Sequence, residues 1–281
     1  MGHGDADQVD APIGIVVAMD AELRHLLEVG VEREATDGIW LDRYLTIGGQ
    51  PVVAMCSGMG MVNAAAATER MIAAHRPRIV MNFGCSGAHR RDIMPGDVII
   101  GERSVHHSAV HILANGEELF VGGTYDVGGE TMHAADLPSD PELVRLAHDS
   151  AAGWVPEDWP VAAGWPEGVP YRKPKIHMGN VASADVWTQA HARLDVLHQR
   201  HATLCEDMEA AAIAQICARH HVPFLTIKDI SNNEFHAETD IEEGFTAFPT
   251  DEVGKRAATL LTRVIERLGR AKSEPQPPTI P

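Results

Sequence analysis

The 281-residue chain carries 40 acidic against 23 basic side chains, a formal net charge of −17, which argues against nucleic acid or an anionic membrane as its main partner, because both are bound by clustered Lys and Arg. Its 44% hydrophobic content is enough to bury a sizeable core, as one large domain or two small ones. The four cysteines, Cys56, Cys85, Cys205 and Cys217, lie far apart without CxxC spacing and read as free thiols in a reducing compartment. No basic segment leads into an apolar core at the N-terminus, and no apolar run reaches the ~20 residues of a membrane helix. A soluble, cytoplasmic protein is the expectation.

Residues 1–12 are polar and acidic and are expected to form a flexible lead. Ile13–Met19 is a continuous apolar run, β-branched in the middle, which suits a central parallel strand. Asp20 is expected to cap a helix over Ala21–Leu27, so Glu22 sits in a first helical turn just past a strand's carboxyl end. Trp40–Ile47 and Pro51–Ser57 read as strands joined by a Gly48-Gly49-Gln50 hairpin. Ser57–Asn63 (SGMGMVN) runs into an Ala-rich helix ending near His75. Its glycines resemble a phosphate-cradling turn, although the dinucleotide pattern fails at its third Gly, and close backbone packing explains them equally well.

Arg78–Phe83 is the next buried strand, ending in Asn82-Phe83-Gly84-Cys85-Ser86-Gly87, small residues that let a ligand approach main chain. Pro95-Gly96-Asp97 is a turn and Val98–Gly101 a further strand. His106, His107 and His111 invite a metal reading, but no carboxylate partner stands at ligand spacing, so no metal is expected. The stretch 116–129 is Gly-rich and turn-like. Ser139 is expected to cap a helix, with Glu142 three residues on, running to about Ala152. The stretch 154–174 holds three Trp and five Pro and is expected to be an ordered loop or lid, or a surface packed on a second subunit. Lys175–Ser183 is a strand, and Val186–Gln199 reads as a helix carrying Trp187, which either stacks on a flat ligand or fills core. Cys205–Asn233 reads as acidic residues opening an apolar helix, a Pro-marked turn and a buried strand whose end exposes Ser231 and Asn232. Ligands of open α/β sheets bind outside the carboxyl ends of strands. Pro249–Arg267 is an amphipathic helix, and 271–281 a Pro-rich flexible tail.

Taken together, Ile15–Leu23 (IVVAMDAEL), Ser57–Ala64 (SGMGMVNA), Asn82–Gly87 (NFGCSG), Pro95–Ile99 (PGDVI), Asp207–Ile213 (DMEAAAI) and Val222–Asn232 (VPFLTIKDISN) resemble the purine nucleoside phosphorylase and nucleosidase superfamily. Within it they look most like the 5'-methylthioadenosine/S-adenosylhomocysteine nucleosidases. The resemblance spans about residues 13–268. It implies a single α/β domain, here residues 13–270, around a mixed, partly barrel-like sheet flanked by helices. It implies a homodimer, no cofactor, and cleavage of the bond between a purine and its ribose in a small-molecule nucleoside. By the same resemblance Glu22 is the carboxylate that activates water. Met208 and Glu209 hold the sugar, Trp187 stacks on the base, and Cys85, Ser86 and Gly87 line the sugar side. Met19, Asp207 and Ser231 complete the substrate-binding set.

Such cleavage passes through an oxocarbenium-like sugar, which a carboxylate beneath it stabilises while deprotonating the water. One position departs from the pattern. Where the adenine-specific nucleosidases carry Asp at the N7 site, this chain has Asn232, as the 6-oxopurine phosphorylases and futalosine hydrolase do. An ionised Asp only accepts hydrogen bonds; Asn accepts one from N7–H and donates one to O6 of hypoxanthine or guanine. A 6-oxopurine preference is therefore the expectation, with Asp229 or Glu234 as alternative groups near the base. Methylthioadenosine cleavage is the first alternative function. A phosphorylase is the second, disfavoured because Asp20 and Glu22 would repel phosphate where Arg24 is the one nearby cation. A non-catalytic purine-binding or storage relative is the third.

Overall fold

The structure, a computed structural model, describes residues 11–134, 136–239 and 249–273. β1 (Ile13–Val17) is buried at every position, as a strand flanked on both faces must be. It leads through Met19 into α1 (Asp20–Leu27). Met19, one residue earlier than expected, is the N-cap: the Glu22 carboxylate reaches back to accept the Met19 N–H at 3.2 Å, leaving Asp20 to pair with Arg43 at 3.3 Å. A meander of β2 (Arg33–Asp37), β3 (Trp40–Ile47) and β4 (Gln50–Cys56) follows, with β4 returning parallel to β1. The exposed, polar β2 (REATD) carries no apolar alternation and was not expected from the sequence.

After α2 (Met61–His75) the chain enters β5 (Ile79–Ala88) and then β6 (Val98–His106). Both run longer than their apolar stretches suggest: the small residues of Asn82–Gly87 continue the β5 ladder, and Ser104–His106 of β6 stay paired with β12. The stretch 116–129, expected to be turn-like, instead falls within two two-stranded ribbons, β7 (Val110–Ile112) with β8 (Glu118–Phe120), and β9 (Gly123–Val127) with β10 (Glu130–Ala134). β11 (Asp136–Pro138) edges β6. α3 (Pro141–Ala151) is capped by Asp140, not Ser139: its carboxylate accepts the N–H groups of Glu142 and Leu143 at 2.9 and 3.0 Å, the register that Pro141 at the helix start imposes.

β12 (Ile176–Ser183) is followed by α4 (His191–His201), not by a helix from Val186; Trp187 lies in the loop between them. Cys205–Asp207 does not open a helix either. It belongs to β13 (Thr203–Asp207), and α5 (Ala210–Arg219) starts only after Glu209. β14 (Phe224–Asn232) follows as expected. α6 (Lys255–Ser273) begins later than Pro249 and continues past residue 270 into the expected tail. Residues 1–10, 274–281 and 240–248 lie outside the described residues, including most of the lead and tail.

β6, β12, β13, β5 and β14 close on one another in that order, β14 completing the ring by pairing with β6. From this mixed five-stranded barrel an arm of β1, β4, β3 and β2 extends off β5. Leu23 and Leu26 of α1, Leu143 and Ala147 of α3, and Leu260, Leu261 and Val264 of α6 bury one face. Ala64, Ala67 and Met71 of α2 with Ile213 and Cys217 of α5 bury the other. This is the single α/β architecture the sequence led us to expect.

The 154–174 stretch is an ordered loop anchored on its own chain. Trp159 (1% exposed) and Trp165 pack with Met94, Arg172 pairs with the buried Asp97, and Arg256 donates to the carbonyls of Glu157 and Asp158. None of its residues lines the crevice described next, so the expectation that it lids the site is corrected. No helix among the described residues is long and apolar enough to cross a membrane.

Candidate active site

β5 changes partner along its length. It pairs with β1 from Ile79 to Asn82, and on reaching Gly87 and Ala88 pairs with β13. Between those two pairings the sheet opens, and a crevice lined from both sides occupies the gap. Counting its open mouth it encloses roughly 1110 Å³, ample for a drug-sized ligand.

Glu22 reaches into that gap from the start of α1. Its Oε1 accepts the Cys85 N–H at 2.7 Å, a main-chain donor left without a ladder partner where the sheet parts. The residue is 3% exposed; burial pushes its carboxyl above the usual range, against the pull of Lys228. Gly84 makes the approach possible: a Cβ there would stand 2.5 Å from Glu22 Oε1.

Glu209 caps α5 and its Oε1 accepts the Gly60 N–H at 2.8 Å. Burial, and the neighbouring Asp207 charge, push it up to about 7. The next N–H of that Gly-rich turn, Met61, donates to Asp185 at 2.7 Å. The start of α2, which from sequence could be either a phosphate-cradling turn or a site of close backbone packing, is occupied by the protein's own carboxylates. Gly60 takes φ of 100° to turn there, a backbone shape that favours Gly. Asp207, expected to bind substrate, lines the crevice but spends its carboxylate internally: it accepts the Ala210 N–H at 3.0 Å and lies 2.6 Å from Lys228 Nζ. Lys228, 2% exposed, is the ammonium on which Glu22, Asp207 and Glu209 all act, and they raise its pKa.

At the other end, Asn232 is held on both sides of its amide. Oδ1 accepts the Ser231 hydroxyl at 2.9 Å, and Nδ2 donates to Glu234 Oε1 at 2.7 Å. Glu234 also accepts from Trp187 Nε1 at 3.2 Å and from the Thr239 N–H at 2.9 Å. Trp187 stands at the mouth, 47% exposed, and Met19, Cys85, Ser86, Gly87 and Met208 complete the sequence-derived set along the walls. Asp229 does not belong to it. Its carboxylate accepts the Gly254 and Arg256 N–H groups at 2.9 and 3.0 Å, fixing the start of α6, and it is not among the lining residues. Arg24 is likewise elsewhere, on the Thr250 carbonyl and Asp251.

Reading the sequence missed Glu206 and Thr188, both on the crevice wall. Glu206 Oε1 accepts the Thr188 N–H at 2.7 Å and Oε2 the Thr188 hydroxyl at 3.0 Å. Nε2 of the fully buried His89 and His107 stand 3.3 and 3.5 Å from Oε2. His107 is therefore part of a buried cluster with Glu206, and burial lowers it to about 4. Among the described residues no group of three or more His, Cys, Asp or Glu could hold a metal ion. The signal for Glu206 was a third acid in Cys-Glu-Asp-Met-Glu, hidden once that run was taken for a helix start.

A family model described as the phosphorylase superfamily matches residues 12–268. Among relatives, a 5'-methylthioadenosine/S-adenosylhomocysteine nucleosidase of Geobacillus sp. (strain WCH70) is 29% identical over 259 residues, covering 91% of this chain and 98% of the relative. A protein of the same name from Anoxybacillus flavithermus is 30% identical over 222 residues, 78% of this chain and 84% of its own length. In fold the chain is similar to the Neisseria meningitidis nucleosidase of that name in complex with methylthio-immucillin-A, with a TM-score of 0.69, 24% identity, and coverage of 92% and 99%. It is equally similar to the futalosine hydrolase of Helicobacter pylori strain 26695, with a TM-score of 0.71, 21% identity and the same coverage.

Proposed function

Because this chain belongs to the phosphorylase superfamily and is an N-glycosyl hydrolase of purine-type nucleosides, we propose that it releases the base from 6-oxopurine nucleosides, with Glu22 activating the attacking water. The observation that carries hydrolysis over phosphorolysis is the α2 N-terminus, whose Gly60 and Met61 N–H groups are taken by Glu209 and Asp185. Phosphate finds neither a free turn nor a free Arg24 there.

The roles follow from position. Water held on Glu22 attacks C1' of the sugar and gives its proton to that carboxylate, while the C1'–N9 bond breaks and its electron pair leaves with the purine, which takes up a proton at N7 from solvent water. Positive charge builds on the sugar between Glu22 and Glu209, two buried carboxylates, where low dielectric strengthens the attraction. Glu209 accepts from the ribose hydroxyls beside Met208. Trp187 covers the base at the mouth.

Asn232 supports the 6-oxopurine preference. Glu234, an acceptor, holds the amide so that nitrogen faces Glu234 and oxygen faces Ser231. Each end keeps a second hydrogen or lone pair for the base: Oδ1 for N7–H, Nδ2 for O6. The adenine reading draws on the names of the relatives and on Glu234 itself, a second acceptor 2.7 Å from Asn232 Nδ2 that an adenine amino group could reach.

Incubation with inosine, guanosine, adenosine and methylthioadenosine, with and without phosphate, tests this directly. Free hypoxanthine and ribose are expected without phosphate. Formation of ribose-1-phosphate in place of ribose would sink the hydrolase mechanism, and equal or faster release of adenine from methylthioadenosine would sink the base preference.

Gly84 gives a sharper check on Glu22. In Gly84→Ala the new methyl would collide with the Glu22 carboxylate and displace it from Cys85. A misplacement of about 1 Å can cost ~100-fold in rate. We expect kcat to fall by about that factor with the far-ultraviolet circular dichroism unchanged; an unaltered kcat would mean that the Glu22 position does not matter.

A further inference from the structure

We propose that Glu206 is a second base-reading residue, accepting a hydrogen bond from N1–H of the purine across the pocket from Asn232; this rests on the 6-oxopurine reading and extends it to the opposite edge of the ring. The geometry comes from strand register. On β5, Gly87 pairs with Glu206 of β13 on one side and with Asn232 of β14 on the other. Residues directly opposite one another in neighbouring strands put their side chains on the same face. A Cβ built on Gly87 would lie 3.5 Å from Asn232 Oδ1, which fixes that face as the one Asn232 occupies. Glu206, Gly87 and Asn232 all line the crevice.

Two strand spacings separate Glu206 from Asn232 by about 10 Å at the backbone. The residue between them has no side chain. A flat bicyclic base therefore fits between the two side chains, over Gly87, with its N7 edge toward one and its N1 edge toward the other.

What Glu206 presents is fixed by its neighbours. The Thr188 N–H and hydroxyl, two donors on the same wall, are both consumed by its carboxylate. The wall thus offers the base an acceptor where it would otherwise offer donors. Each carboxylate oxygen keeps acceptor capacity beyond its bond to Thr188. Hypoxanthine and guanine carry a hydrogen on N1, and guanine adds an amino group beside it. Adenine carries a lone pair on N1, which would face a carboxylate. The Nε2 atoms of His89 and His107 stand 3.3 and 3.5 Å from Oε2, close enough to limit where the carboxylate can move.

The test compares inosine with 1-methylinosine, which keeps O6 and N7 and lacks the N1 hydrogen. Wild type should favour inosine by about 10- to 100-fold or more in kcat/KM, the scale of rejection when a buried polar group is left mispaired. In Glu206→Gln, the side-chain amide must face either Thr188 or N1–H with a donor. Inosine kcat/KM should then fall and the ratio to 1-methylinosine shrink toward one. A ratio that persists in the variant, or no discrimination in wild type, would overturn the role of Glu206. If the variant is poorly folded, the wild-type ratio, together with guanosine against inosine, still decides. Inosine favoured over adenosine with no sensitivity to the N1 methyl would refute Glu206 alone and leave Asn232 standing. Adenosine favoured over inosine would refute both.

Discussion

Glu22→Gln should lower kcat by about 1,000- to 10,000-fold while the protein stays folded and still binds a nucleoside. General base catalysis accounts for ~100- to 10,000-fold, and in the proposed mechanism the carboxylate also faces a cationic sugar. Gln keeps the size of the side chain and its carbonyl still accepts the Cys85 N–H that Glu22 takes at 2.7 Å, so lost packing does not obscure the result. Single-turnover release of hypoxanthine measures it. A drop of less than tenfold would move the water to another residue. The pH profile supplies a second reading of the same machinery. Glu209 is pushed to about 7 and Glu22 is raised, and both act as acceptors when ionised. Rate should therefore climb as pH rises through about 7. In the variant the climb owed to Glu209 remains, since only one of the two titrating groups has been removed.

Asn232→Asp should shift preference from 6-oxopurine toward adenine nucleosides by about 100- to 10,000-fold in the ratio of kcat/KM, the scale of a site that rejects a base whose polar groups it cannot pair. The expected gain for adenine has a further source. The new carboxyl would stand where Nδ2 now lies 2.7 Å from Glu234 Oε1, and two carboxylates so close cannot both ionise easily. One proton is retained at the N7 edge near neutral pH, where it can be donated to the departing base. The same crowding can loosen Glu234 from Trp187 and Thr239, so Asn232→Asp combined with Glu234→Gln separates the two effects. Competition between inosine and methylthioadenosine reads the ratio, and an unchanged ratio in both variants would remove Asn232 from base recognition.

Periodic and compositional signals marked the elements that carry an unbroken apolar or Ala-rich run. β1, β14 and α2 could be read because a buried parallel strand or an Ala-rich helix leaves an unbroken run. β5 and β6 were cut short because their second halves carry little hydrophobic signal: Gly84–Ala88 of β5 is built from small residues, and Glu102–His106 of β6 is largely polar. β13 was misread for the opposite reason. Glu206 and Asp207 resemble a helix's acidic first turn, yet both are under 10% exposed and paired with residues distant in sequence, Glu206 with Thr188 and Asp207 with Lys228. Glu22, Glu209 and Asn232 were legible because each sits beside a strand end or helix start. Glu206 was not, since its role depends on what lies across two neighbouring strands, and register is invisible until the sheet closes.

The single ammonium of Lys228 amid Glu22, Asp207 and Glu209 also links the site to proton uptake by the whole fold. Glu209 titrates near 7 in the folded protein against a reference of 4.5, and Asp229 near 7 against 3.8. Between those limits the native state binds more protons than the unfolded chain, so the free energy of unfolding falls as pH rises. The stability conferred by these protons is complete below about pH 4 and is lost as pH passes about 7. Above that point Lys228 alone faces the carboxylates of Glu22, Asp207 and Glu209, and in the proposed mechanism a sugar gaining positive charge would relieve their repulsion. Glu209 and Asp229 thus give up their protons, at a cost in stability, in the same pH range in which the proposed mechanism needs Glu209 ionised.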